Sequence, residues 1–151
     1  MKIPNWLIFA FLAVSFVGFL DATYLTAGHY LGAIPPCVIT TGCETVLSSY
    51  YSTILNIPVA LLGAIYYFSL FLLTVLALNI RHGIIRFAAF ITPIGFLASL
   101  YFVFLQFFVI KEICFYCTIS AATSTTLFIL GLFIITKSSR SRAGLQNANN
   151  Q

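Results

Sequence analysis

Two pairs of cysteines are the residues of this chain whose spacing could support chemistry. Cys114 and Cys117 stand at positions i and i+3, so on a helix their thiols share one face and are close enough to bond. They open an apolar run, and the first turn of a helix stabilises a thiolate through its unpaired N–H groups and its dipole. A thiolate within reach of a second cysteine is what thiol–disulfide exchange requires. Cys117 would lie about 4.5 Å deeper along the helix than Cys114, where a lipid-soluble electron acceptor would meet it.

The other pair, Cys37 and Cys43, is separated by five residues in a segment that contains glycine and proline. This segment, residues 27–56, is long enough to face a soluble partner in one state and to approach Cys114 in another. The two pairs together predict an electron relay from a soluble thiol, through the loop pair and the helix pair, to a quinone. Two other uses of the cysteines stay open. They could form two structural disulfides, although a disulfide within a C-x-x-C of one helix would not link separate parts of the chain. They could instead bind zinc, although Cys37 and Cys43 are more widely spaced than zinc-binding cysteine pairs usually are.

The elements that must position these cysteines are membrane helices. Hydrophobic residues make up 61% of the chain and charged residues 7%, with a mean hydropathy of +1.05, which excludes an ordinary soluble domain and a disordered chain. Four apolar runs are each long enough to cross a bilayer as a helix; they cover residues 3–26, 57–80, 87–110 and 113–136. We therefore predict an all-α, integral membrane four-helix bundle with an outer loop carrying a short half-helix. The bundle would occupy residues 1–137 and be followed by a basic, polar cytoplasmic tail, 138–151, which we expect to be disordered.

The basic residues indicate how the bundle is oriented. Cytoplasmic loops carry an excess of Lys and Arg, and six basic residues fall on one face of the predicted bundle: Lys2, Arg81, Arg86, Lys137, Arg140 and Arg142. Lys111 alone falls on the other. Both termini are therefore predicted to be cytoplasmic, and all four cysteines are predicted to lie on the periplasmic or extracellular side, where disulfides persist. The net charge of +4 is then a topology signal, and it predicts contact with the lipid bilayer rather than with nucleic acid.

Three motifs combine into a recognisable pattern. A loop cysteine pair is followed by a serine, in Cys43-Glu44-Thr45-Val46-Leu47-Ser48-Ser49; an Ile57-Pro58 pair opens the second long helix; and the C-x-x-C opens the last helix. The combination, from about residue 7 to 136, resembles the vitamin K epoxide reductase family in its prokaryotic form. The DsbB-type quinone reductases place their two pairs in the opposite order.

The resemblance implies a role for each cysteine. Cys114 and Cys117 would be the active centre of a thiol–disulfide oxidoreductase, and Cys117 would reduce the quinone. Cys43 would pass electrons to Cys114, and Cys37 would exchange with the thiols of a thioredoxin-like partner. The activity would support disulfide bond formation.

The resemblance also implies the acceptor, the partner and the location. The acceptor would be a membrane quinone, ubiquinone or menaquinone, with no metal involved. Vertebrate members carry a tyrosine four residues after the second C-x-x-C cysteine, where this chain has Ala121, so we expect a plain quinone rather than vitamin K epoxide. Many bacterial members carry a fused thioredoxin-like domain; here we expect a separate periplasmic or extracellular, DsbA-like protein. The location would be the prokaryotic cytoplasmic (inner) membrane.

Two further residues are predicted to belong to the quinone pocket. Asp21 is the acid inside the first apolar run, and ionisable residues at membrane depth are functional candidates. Ser49 matches a Ser/Thr of the resembled family near its pocket. Two alternatives from other classes remain: a small heavy-metal transporter that uses the cysteine pairs as soft ligands, and a non-enzymatic tetraspan scaffold stapled by disulfides.

Overall fold

Five α-helices make up most of the described part of the chain. The computed structural model describes residues 4–32, 42–54, 56–80 and 83–149, with side chains described as far as Ser139. The helices are α1 (Asn5–Leu31), α2 (Gly42–Leu47), α3 (Val59–Asn79), α4 (Ile84–Phe104) and α5 (Phe115–Asn149). Cys37, Lys2 and Arg81 lie outside the described residues, so what the sequence predicts for them stays a prediction.

Within the described residues, four helical stretches are long and apolar enough to cross a membrane. They are Asn5–Leu31, Val59–Asn79, Ile84–Ile110 and Phe115–Ser139, with mean hydropathies of 1.9 to 2.2. The prediction of an all-α bundle with four membrane helices is confirmed. Helix α1 runs beyond the predicted apolar stretch and ends at Gly32, whose φ of 64° is left-handed and therefore favours glycine. Helix α5 continues to Asn149 and includes most of the segment 138–151, whose disorder stays a prediction.

The four long helices pack side by side in the order α1, α3, α4, α5, and α5 returns to contact α1. Each helix is apolar on all sides, as membrane helices are, so hydrophobicity alone does not distinguish the buried face from the lipid-facing one. Phe11, Leu70, Ile85 and Leu127, one from each helix, are fully buried in the bundle. On the outer surface Phe90 of α4 is 75% exposed, as a side chain in contact with lipid would be.

Glycines allow two tyrosine rings of α3 to enter the bundle. The Tyr67 ring occupies the place where a side chain at Gly18 of α1 would stand, and the Tyr66 ring occupies the corresponding place at Gly95 of α4. The two ring centroids are 5.3 Å apart. Small residues at such contacts let membrane helices approach closely. As a result, α3 brings two phenol groups into a largely apolar interior.

Helix α4 continues through Pro93 because a side chain replaces the hydrogen bond that proline removes. Proline has no N–H, so the carbonyl of Ala89, four residues earlier, loses its helical partner. The hydroxyl of Thr92 donates a hydrogen bond to this carbonyl over 2.7 Å. Gly131 of α5 lies against the same threonine, since a Cβ there would be 2.7 Å from the hydroxyl oxygen. The substitute bond therefore lies at the contact between α4 and α5.

The connection from α1 to α3 contains α2, a 3₁₀ turn at Tyr50–Ser52 and a small hairpin. Strands β1 (Thr53–Ile54) and β2 (Ile57–Pro58) are antiparallel, with Ile54 opposite Ile57. Asn56 has a left-handed φ of 63°, a conformation that asparagine adopts more readily than most residues. Helix α2 is the short half-helix of the prediction, whereas the hairpin was not predicted. The hairpin ends at Pro58, which directly precedes the first residue of α3.

Candidate active site

A cavity of about 760 Å³ lies between the long helices at the end of the bundle where α3 and α5 begin, which we call the cysteine end. All four long helices contribute to its walls, together with residues 46–54 and the π-helical segment Leu105–Ile110 that continues α4. Its lining is mostly apolar, with a few polar side chains, which is typical of small-molecule sites of this volume. A planar ring with carbonyl groups and an apolar substituent suits such a cavity.

The two cysteines at the start of α5, which we call the α5 pair, have different surroundings: Cys114 directly precedes the helix and Cys117 lies in its first turn. Cys117 lines the cavity, whereas Cys114 is fully buried and does not. Both are free thiols. A hydrogen bond from the Cys117 thiol lowers the pKa of the Cys114 thiol to about 7, with help from the backbone N–H groups of Cys117 and Tyr116, although burial opposes the shift. Cys114 is therefore the cysteine that ionises near neutral pH, in the direction that its place at the start of a helix predicts.

Cys43 lies in a small buried cluster together with Cys114. Cys43 is disulfide-bonded and almost fully buried. Gly42 allows α2 to approach closely, because a Cβ at this position would lie 2.8 Å from the backbone oxygen of Ile113. Helix α2 thus rests on the residues that lead into α5. Cys37 is outside the described residues, and its exchange with a partner stays a prediction.

Gln106 is a candidate functional residue that the sequence argument missed. It lies in a π-helical segment, Leu105–Ile110, that continues α4. Its side chain lines the cavity and is only 4% exposed. The Oε1 atom accepts a hydrogen bond from the backbone N–H of Cys114 over 3.1 Å, which is one of the groups that a helix start leaves without a helical partner. The signal that could have found it is a lone amide inside an apolar run, because polar side chains at membrane depth are usually functional.

A second group that sequence reasoning missed surrounds the hydroxyl of Tyr67. This hydroxyl lies 2.8 Å from the carbonyl oxygen of Ser120, 2.7 Å from the Ser124 hydroxyl and 3.0 Å from the Thr123 hydroxyl. Tyr67, Ser120 and Ser124 all line the cavity, as does Cys117. The spacing of the two serines, three and seven residues after Cys117, places them on its face of α5, and this spacing was the available signal.

The two predicted pocket residues, Asp21 and Ser49, occupy different places. Ser49 lines the cavity, and its hydroxyl donates to the carbonyl of Val46 over 2.7 Å. Asp21 is not part of the cavity lining, and its Oδ2 atom is buried without a hydrogen-bond partner among the described residues. Its charge raises the pKa of the Cys114 thiol, so it lies near the start of α5. The predicted contact of either residue with a quinone stays a prediction.

The chain matches the model of a known protein family. The model of the vitamin K epoxide reductase family matches residues 9–132, a region that contains both cysteine pairs and the lining of the cavity. No curated protein sequence matches the chain at a significant level. The matched region covers most of the chain, and its four apolar helices are those of a multi-pass membrane protein. The chain therefore belongs to the vitamin K epoxide reductase family, whose members are membrane thiol oxidoreductases.

Proposed function

We propose that the protein oxidises a thioredoxin-like partner through Cys37 and Cys43, relays the electrons to Cys114 and Cys117, and reduces a membrane quinone. This activity would support disulfide bond formation. The observation that carries the proposal is the position of the α5 pair: Cys114 is buried beside Cys43, whereas Cys117 lines the cavity. In the proposal, electrons therefore pass from Cys43 of α2 to Cys114, then to Cys117, and from there into the cavity.

The first step is an exchange between proteins. A thiolate of the partner attacks the disulfide of Cys43, which we assign to the Cys37/Cys43 pair. The second thiol of the partner then completes its own disulfide and releases both loop cysteines as thiols. Two electrons and two protons have passed from the partner to the loop pair.

The second step is an exchange within the chain. The Cys43 thiolate attacks Cys114 in an oxidised Cys114–Cys117 disulfide, and Cys117 leaves as a thiolate. Cys37 then attacks Cys43, which restores the loop disulfide and releases Cys114. The low pKa of Cys114 favours its departure, since a more acidic thiol leaves faster. The products, a disulfide at Cys43 and free thiols on α5, correspond to the state of the described cysteines.

The third step transfers two electrons from the α5 pair to the acceptor. Cys117 faces the cavity, so its sulfur is the one that meets the ring. Cys114, as the thiolate, bonds to Cys117 and closes the disulfide. The Cys117 proton and one proton from water accompany the two electrons, so that quinone becomes quinol.

The cavity supports an acceptor of the ubiquinone or menaquinone type. Its mostly apolar walls and its volume of about 760 Å³ suit a quinone ring with the first part of an apolar tail. Ala121, at the position where vertebrate members of the family have tyrosine, lines this cavity and offers only a methyl group. We therefore propose a plain quinone as substrate rather than vitamin K epoxide.

We further propose that the protein lies in a prokaryotic cytoplasmic membrane with both termini in the cytoplasm and its cysteines on the outer side. Cys43, Cys114 and Cys117 share one end of the bundle, whereas Arg86 and Lys137 lie towards the other. A metal transporter that passes ions between thiols would need cysteines at both ends, so this arrangement favours the oxidoreductase.

Quinone reduction by the purified protein, in detergent with added lipid and with dithiothreitol as donor, tests the proposal. We expect Cys117→Ala to abolish quinol formation. Cys37→Ala should retain it, because dithiothreitol can reach the α5 pair through the cavity, but should lose turnover driven by a reduced thioredoxin-like protein. The proposal fails if the wild-type protein reduces neither benzoquinone nor naphthoquinone acceptors. Heavy-metal uptake by vesicles containing the protein would then be measured instead.

A further inference from the structure

We propose that Gln106 binds the acceptor, its side-chain amide donating a hydrogen bond to a quinone carbonyl beside Cys117. The proposal rests on the quinone reduction proposed above and adds a residue that determines how the ring is held. Three observations support it: the burial of Gln106, the one hydrogen bond its side chain makes, and its unused donor, which contrasts with two hydroxyl groups of the lining.

Burial of the Gln106 side chain is energetically unfavourable unless both its oxygen and its nitrogen make hydrogen bonds. The residue lies within the third membrane-spanning stretch and is 4% exposed. Burying an amide without hydrogen-bond partners is energetically unfavourable. The segment Leu105–Ile110 is π-helical, and such segments inside helices frequently occur at functional sites.

The hydrogen bond to α5 fixes which way the amide points. The donor is the backbone N–H of Cys114, so the atom that receives it must be the side-chain oxygen, Oε1, at 3.1 Å. The amide nitrogen, Nε2, then points away from this N–H and carries two hydrogens. No described residue accepts a hydrogen bond from it, and Gln106 lines the cavity. A carbonyl oxygen in the cavity is the partner that this donor lacks.

Two hydroxyl groups of the lining already have acceptors within the protein. Ser49 donates to the carbonyl of Val46, and the Tyr67 hydroxyl lies within hydrogen-bond distance of the carbonyl of Ser120. Gln106 differs from these two because its donor is unused among the described residues, while its acceptor holds the start of α5. One side chain thus contacts the backbone of the reactive cysteine pair and, in the proposal, the ring that the pair reduces.

Two substitutions separate these contacts. Gln106→Glu keeps an oxygen that can accept from the Cys114 N–H but has no amide donor. Gln106→Met has a similar length and lacks both groups. With dithiothreitol as donor and menadione as acceptor, we expect KM for menadione to rise about three- to tenfold in both variants, the loss of one neutral hydrogen bond. The fall in kcat should be larger in Gln106→Met, because only that variant also releases the start of α5.

The matched control is Thr126→Val on the exposed side of α5. Its hydroxyl bonds within the helix to the carbonyl of Ala122, and it is not part of the cavity lining, so KM should equal that of the wild type. A wild-type KM in Gln106→Glu would overturn the assignment of Gln106 while leaving the proposed function intact. Absence of quinone reduction in the wild-type protein would instead overturn the proposed function.

A measurement on the unaltered protein keeps the test decisive if both variants fail to fold. The infrared carbonyl bands of menadione bound to the oxidised wild-type protein report hydrogen bonding at each oxygen separately. We expect one carbonyl band to lie at lower frequency than in an apolar solvent. Two bands at the apolar-solvent frequency would mean that neither oxygen accepts a hydrogen bond, and the proposal would be wrong.

Discussion

Gly42→Ala is expected to separate the two cysteine pairs functionally while leaving each pair intact. A Cβ on residue 42 would stand 2.8 Å from the carbonyl oxygen of Ile113 and 2.9 Å from the Oε2 atom of Glu112. The glutamate side chain can turn away, but the Ile113 oxygen belongs to the backbone directly before Cys114. If such a contact requires about 3.5 Å, α2 must move by roughly 0.7 Å relative to the start of α5.

This displacement acts on the exchange between Cys43 and Cys114. Misplacement of reacting groups by about 1 Å can cost about 100-fold in rate, so we expect turnover driven by a reduced thioredoxin-like protein to fall by roughly 10- to 100-fold. Because Cys117 lines the cavity, we expect dithiothreitol to reach the α5 pair through it without using α2. Quinone reduction with that donor should therefore stay at the wild-type rate.

The assay compares quinol formation with the two donors in the same preparation. Gly83→Ala is the matched control, since a Cβ at Gly83 meets no atom within 4 Å, and both of its rates should equal those of the wild type. A Gly42→Ala protein with a wild-type rate from the protein donor would refute the close-approach argument. Equal losses with both donors would show that the substitution damages α5 as well, and the argument would again fail.

Three further predictions concern the buried polar groups. Tyr67→Phe should lower the free energy of unfolding by about 1–3 kcal/mol, measured by thermal or denaturant unfolding, because the hydroxyl groups around it lose their shared partner; an unchanged stability would contradict this. In the reduced wild-type protein the thiolate absorbance should titrate near pH 7, and quinone reduction should decline as the pH falls through 7 because the Cys114 thiolate is lost. In Cys117→Ala, which lacks the thiol that stabilises this thiolate, the titration midpoint should move towards pH 9. An unmoved midpoint would contradict the assignment. Thr92→Val should cost about 1–3 kcal/mol in the same unfolding measurement, since the carbonyl that Pro93 leaves unpaired is then buried without a donor; no loss would mean that another group replaces the hydroxyl.

The membrane helices could be predicted because their signal is additive along the chain. About 20 consecutive apolar residues suffice to identify a span whatever each of them contacts. The ends were less accurate, since α1 continues to Leu31 and stops only where Gly32 takes a left-handed conformation. The proximity of the Cys114 and Cys117 thiols was also predictable, because residues at i and i+3 lie within a single helical turn.

The walls of the cavity could not be predicted from the sequence. Helices that are apolar all round carry no amphipathic pattern to show which face is inward. The inward faces are set by pairs of small and large residues on different helices, such as Gly18 with Tyr67 and Gly95 with Tyr66, and such pairs are not visible within one segment. Gln106 was not predicted for a related reason. Its role depends on a hydrogen bond from the backbone of Cys114, which is eight residues later in the chain and outside the helical segment that contains Gln106.

The burial of Cys114 also protects it. A thiolate at neutral pH is the form that peroxides oxidise to sulfenic acid and then irreversibly further, and susceptibility follows both ionisation and exposure. Cys114 ionises near pH 7, yet it has no surface open to solvent. Dissolved oxidants therefore do not meet its sulfur directly. The packing of α2 against the start of α5 therefore shields a nucleophilic sulfur from such oxidants.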